Sequence, residues 1–153
     1  MADTDTASNT ERTARAYQAV ATGDLKALSE LISPDCVWIV GGNNKLSGSY
    51  HGRDATFDYF GKLMEATAGT FTITVLTINE VDPDTMIVTA HVNAAANGIT
   101  YDEEVIQQLH LRHGQAIACR TFVENGYRFD ALVGGGRTIT LPGQTERAGV
   151  SAG

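Results

Sequence analysis

The chain has 153 residues, of which 42% are hydrophobic and 19% charged, and a formal net charge of -7. That length is most simply one domain around a single core. An acidic chain with 11 Lys and Arg spread thinly along it argues against binding nucleic acid through phosphates and against an anionic membrane surface. No apolar run approaches the roughly 20 residues that span a bilayer. The opening residues MADTDTASNTE are acidic and polar, the reverse of a signal peptide, so a cytoplasmic location is expected.

Ser8 and Glu11 have capping-box spacing and predict a helix starting near Ser8. Ala14, Tyr17, Val20 and Ala21 form its apolar stripe, Gly23 ends it, and Asp24 caps a second helix. Leu25, Leu28, Leu31 and Ile32 repeat with helical period until Pro34 stops them. Cys36 to Val40 is predicted to be a strand, and Gly41 to Gly52 a loop. A third helix is predicted over Asp54 to Ala66, burying Phe57, Phe60, Leu63 and Met64.

Four strands follow: Phe71 to Asn79, Met86 to Ala95, Thr100 to Arg112 and Ala116 to Val123. Their separators are Asp82-Pro83-Asp84, the hairpin pair Asn97-Gly98, and His113-Gly114. Tyr127 to Leu132 forms a short closing helix or an extension. One domain is therefore expected over residues 1–132. A loose glycine-rich tail is expected over residues 133–153. Helices first and strands after indicate an α+β fold.

Strand alternation assigns the faces. Met86, Val88, Ala90, Val92 and Ala94 form one apolar set, with Thr89, His91 and Asn93 opposite. Tyr101, Glu103, Val105, Gln107, Leu109 and Leu111 share a face, as do Ala118, Arg120, Phe122 and Glu124. Cys36, Trp38 and Val40 belong together. If these sets line one cavity, it is apolar at its base, with Glu103, Gln107, Arg120 and Glu124 as its polar groups, joined by Tyr17 and Tyr50. A few polar groups in an apolar cavity suit a small molecule. Cys36 and Cys119, both in apolar strand settings, are expected as buried free thiols.

The segments GDLKALSELISPDCVW, GSYHGRDATFDYF and LHLRHGQAIACRTF together resemble the SnoaL-like branch of the nuclear transport factor 2-like superfamily. Its relatives include ketosteroid isomerases, limonene epoxide hydrolases and polyketide cyclases. The resemblance covers roughly residues 12 to 132. It implies a cystatin-like cone: a curved, mostly antiparallel sheet roofed by three N-terminal helices around an apolar pocket. It also implies a homodimer through the convex sheet face, with His91 at that contact, and no cofactor.

The isomerase residues do not carry over. Val40 stands where the base belongs, Gln107 where the acidic donor belongs, and Ala16 where the helix-one tyrosine belongs, with Tyr17 one position off. Epoxide-hydrolase chemistry needs an arginine between two carboxylates, which Arg120, Glu124 and Glu103 supply in kind though not in position. A cyclase needs one acid/base group and a shaped cavity. The expected catalytic residues are thus Glu103, Arg120 and Glu124. Tyr17, Trp38, Tyr50, Val88, Gln107 and Phe122 would bind an apolar, oxygenated substrate. Cyclisation, isomerisation or epoxide opening are the expected reactions, and a non-catalytic binding or dimerisation module is the alternative. His51 is expected to cap the third helix. The pair His110 and His113 lacks a fixed third ligand, so no metal is expected. Gly134-Gly135-Gly136 follows no strand-helix context and makes no nucleotide loop.

Overall fold

A computed structural model of the chain describes residues 8–135. Its elements run α1 (Asn9–Thr22), α2 (Leu25–Leu31), β1 (Ile32–Val40), β2 (Gly48–His51), α3 (Arg53–Ala66), β3 (Thr72–Asp82), β4 (Thr85–Ala96), β5 (Ile99–Arg112), β6 (Gln115–Val123) and α4 (Gly126–Val133). The six strands form one open sheet in the order β2-β1-β6-β5-β4-β3. The β1–β6 pair is parallel and the others are antiparallel. The fold is α+β.

Local chemistry sets the helix boundaries. The Ser8 hydroxyl accepts from the Glu11 N–H, and the Glu11 carboxylate accepts from the Ser8 N–H, completing a capping box. Gly23 closes α1 in the left-handed region (φ 71°), and Asp24 caps α2 through the Ala27 N–H at 3.0 Å. The tight α1–α2 corner brings Tyr17 and Leu28 to the same cavity.

Several boundaries differ from the sequence expectations. The second helix ends at Leu31, and Pro34 lies within β1. The β1–β6 register shifts between Ile32 and Val37, an irregularity that accommodates a residue without an N–H. Gly48–His51 is a short edge strand paired with β1, where composition alone suggests a loop. Gly52 is the N-cap of α3 with no side-chain cap, so His51, which is exposed, does not cap it. The closing segment is a helix. Leu132 and Val133, at its end, are almost fully buried, so ordered core extends past the expected domain limit at 132. Residues 136–153, most of the expected tail, lie outside the described residues.

The core occupies the helix-covered face. Leu28, Cys36, Trp38, Met86, Val88, Leu109 and Cys119 belong to one buried cluster, and Ala90, Val92, Tyr101, Val105 and Leu132 to another. On α3 the buried side chains are Thr56, Tyr59 and Leu63, while Phe57 and Phe60 are half-buried and Met64 is exposed. The expected face of α3 is the inward one: Phe57, Phe60, Leu63 and Met64 all line the cavity, the first two and Met64 keeping exposure to it. Tyr59 joins them and also packs on Tyr50 of β2 (ring centroids 4.8 Å). No helix among the described residues is long and apolar enough to cross a membrane.

Candidate active-site pocket

A cavity of about 580 Å³ lies between the helices and the sheet. Its walls come from α1 and α2 (Tyr17, Val20, Leu25, Leu28), from α3 (Phe57, Tyr59, Phe60, Met64), and from the strands (Trp38, Ile73, Val92, Val105, Gln107, Thr121, Val123). Phe71, ahead of β3, and Phe129 of α4 close it. Trp38 meets Phe60 edge to face at 5.0 Å, fixing the wall where β1 faces α3. None of the residues lining the cavity is an Asp, Glu, Lys, Arg or His.

Three of its polar side chains, Tyr17, Gln107 and Thr121, meet at one place, and Thr22, Trp38 and Tyr59 also belong to the lining. The Tyr17 hydroxyl donates to the Gln107 carboxamide oxygen, joining α1 to β5. Gln107, only 8% exposed, donates through Nε2 to Thr121 Oγ1 at 2.8 Å. Gln107 and Thr121 are cross-strand partners, so the sheet register itself makes this bond.

Burial holds these groups neutral. It raises the Tyr17 phenol well above its usual value, with a further push from Cys119. Burial and the neighbouring Cys36 raise Cys119, offset in part by the Thr121 hydrogen bond. Tyr59 is raised by burial, then by Tyr50 and Cys119. Cys36 is pushed up by burial to about 11. Both thiols are fully buried and unpaired.

The expected site residues divide accordingly. Tyr17, Trp38 and Gln107 line the cavity. Tyr17 points into it even though it is one position from the aligned one. Tyr50 does not: its hydroxyl donates to the Leu46 carbonyl at 2.7 Å and its ring lies on Tyr59. Val88 is fully buried in the core and is not part of the lining.

The placement of Arg120, Phe122 and Glu124 on the cavity side is corrected. All three are exposed, and the alternate set Cys119, Thr121 and Val123 faces inward. Ala116 and Cys119 are both buried although three positions apart, so strict alternation fails between them. The register shifts on both neighbouring strands coincide there, at His110/Leu111 and Ile32/Val37. This one-residue change of phase exchanges the faces of everything that follows. Glu103 shares the inward face with Val105 but lies beyond the cavity, 3.8 Å from Arg128 of α4. Thr121, Val123 and Phe129 were not foreseen. The β-branched Thr121 and Val123 are a faint signal that Arg120 and Glu124 outweighed. His91 is on the opposite sheet face, paired with Asp102. Among the described residues no three His, Cys, Asp or Glu are grouped to hold a metal.

A helix-roofed open sheet with one apolar cavity and a buried amide at its polar end defines a small-molecule pocket domain. Residues 13–119 match the SnoaL-like domain, and the chain belongs to that family. A protein of unknown function with a cystatin-like fold from Xanthomonas campestris is 28% identical. It superposes with a TM-score of 0.79 over 84% of this chain and 99% of that one. Bal32a, from a soil-derived mobile gene cassette, is 28% identical with a TM-score of 0.77 over 81% of this chain and 95% of its own. IdmH from Streptomyces antibioticus, provisionally assigned as a polyketide cyclase, is 19% identical with a TM-score of 0.65, over 81% of this chain and 97% of its own. No curated protein matches the chain significantly.

Proposed function

We propose that this protein is a cofactor-independent enzyme acting on an apolar, oxygenated small molecule of polyketide or terpenoid type, by cyclisation or isomerisation. The observation that carries this reading is the cavity of about 580 Å³, largely apolar and uncharged, with Tyr17, Gln107 and Thr121 hydrogen-bonded together in its wall. Such a cavity folds a flexible substrate against aromatic walls, and ring closure can be accelerated by positioning alone. The phenol at its polar end meets the substrate oxygen on which charge develops. In a dry site that hydrogen bond is worth more than in water. Membership of the SnoaL-like family and likeness to IdmH support the class of substrate.

Epoxide opening is the less favoured reaction, because the carboxylates and arginine it needs, Glu103, Arg120 and Glu124, all lie outside the cavity lining. The alternative of a non-catalytic binding module is favoured by the uncharged lining. The two are separated by incubating the purified protein with a panel of linear polyketide and terpenoid substrates and following products by mass spectrometry. Turnover lost in Tyr17→Phe and in Gln107→Leu supports the enzyme. Tight binding without product across the panel supports the binding module.

We propose a homodimer through the sheet face away from the helices. Ile106 and Phe122, cross-strand partners there, are 44% and 54% exposed.

A further inference from the structure

We propose that the polar end of this cavity recognises an uncharged ligand through a single oxygen and accepts that oxygen either as a carbonyl or as a hydroxyl. The inference rests on the small-molecule pocket described above and adds the chemical class of its occupant.

Tyr17, Gln107 and Thr121 are linked in one line from α1 to β6. In the observed direction Tyr17 O–H donates to the Gln107 carbonyl and Gln107 N–H donates to the Thr121 hydroxyl oxygen. The Tyr17 oxygen keeps a lone pair that accepts from a ligand hydroxyl.

The line also runs in reverse. With the Gln107 amide turned over, Thr121 O–H donates to the Gln107 carbonyl. Gln107 N–H then donates to Tyr17, whose own O–H is released to a ligand carbonyl. The Tyr17–Gln107 and Gln107–Thr121 bonds are kept in both directions, because a hydroxyl and a primary amide each both donate and accept. The two ends of the amide have nearly the same shape, so turning it over disturbs no packing. A carboxylate or ammonium at position 107 would lack this property, since each plays one role only.

The charge of the ligand follows from the rest of the wall. No charged side chain lines the cavity, so an ionised ligand would leave water without a counter-charge. A molecule that passes between keto and enol forms, or between ketone and alcohol, therefore stays held at Tyr17 in both states.

Three probes with one bicyclic body test this: 2-acetylnaphthalene, 1-(2-naphthyl)ethanol and 2-naphthoate, titrated calorimetrically into the full chain at pH 7. The ketone and alcohol are expected to bind within about threefold of each other, and the carboxylate at least about thirtyfold more weakly. Tyr17→Phe is expected to weaken ketone and alcohol alike by about tenfold. In the native protein, the infrared carbonyl band of carbon-13-labelled 2-acetylnaphthalene should move to lower wavenumber than in dry hexane. That readout needs no variant to fold. A carboxylate binding as tightly as the ketone overturns this inference and leaves the pocket reading intact. So does an alcohol more than about thirtyfold weaker than the ketone, or an unshifted carbonyl band in a bound ketone. Absence of binding by all three probes overturns this inference together with the small-molecule pocket.

Discussion

Tyr17 and Gln107, ninety residues apart in sequence, hydrogen-bond to each other across the cavity. The bond spans the gap between roof and sheet, so the group placed to meet a ligand also ties α1 to β5. Gln107→Leu removes the acceptor for Tyr17 and the donor for Thr121 at once. A loss of about 1–2 kcal/mol in urea denaturation is expected, and an unchanged midpoint would show the bond to be energetically silent.

Arg120 and Glu124 lie on the sheet face opposite the inward-facing Thr121 and Val123, and neither lines the cavity. Arg120→Ala and Glu124→Ala are expected to leave 2-acetylnaphthalene affinity within about twofold, because exposed charges at that distance are screened. A tenfold loss in either titration would return these residues to the site.

Stability should fall as the solution becomes alkaline. Cys36 is raised from 9.0 to about 11 by burial, so the folded chain keeps a proton that the unfolded chain releases. This contribution is whole below pH 9 and is lost as pH rises toward 11. It amounts to about 3 kcal/mol, and Cys119 acts in the same direction. Denaturation midpoints between pH 8 and 11 measure it, and Cys36→Ala should flatten the slope. A slope identical to that of the native chain would refute the assignment to Cys36.

Tyr101 is fully buried, and its hydroxyl is the buried side-chain polar atom left without a hydrogen-bond partner among the described residues. Its ring packs edge to face on Phe129, and burial with Glu103 and Glu124 nearby pushes the phenol up to about 12. Tyr101→Phe removes an unpaired polar atom while keeping the ring. It is expected to raise stability by about 1 kcal/mol in thermal or urea unfolding. Destabilisation of that size would mean that the hydroxyl has a partner.

The proposed dimer is checked by the double substitution Ile106→Glu and Phe122→Glu. Two carboxylates directly opposite on adjacent strands repel each other and dissolve the apolar patch. Sedimentation velocity should show a dimer for the native chain and a monomer for the variant. A native chain that sediments as a monomer at micromolar concentration refutes the proposal.

Much of this molecule is written locally. Ser8 with Glu11, Gly23 with Asp24, and Asn97-Gly98 each carry their own turn or cap chemistry, and the corresponding boundaries fall within a few residues of expectation. The alternation of Met86 to Ala94 and of Tyr101 to Leu111 also assigned those faces correctly, because β4 and β5 pair in unbroken register from Thr85 to Ala96. The stripe Phe57, Phe60, Leu63 and Met64 of α3 also faces the cavity as its period indicates, while the inward place of Tyr59, packed on Tyr50, lies outside that stripe.

The sequence by itself determined the α+β order, the apolar base of the cavity and the inward side of Gln107. Period and turn chemistry act over a few residues and need no partner. The tertiary structure alone decided which face of β6 meets the cavity, and with it that Thr121 stands where Arg120 was expected. A residue's face after a bulge depends on how two neighbouring strands shift, and no pattern within nine residues of β6 encodes that shift. The partnership of Tyr17 with Gln107 was decided in the same way, by the angle at which a helix crosses a sheet ninety residues further along the chain.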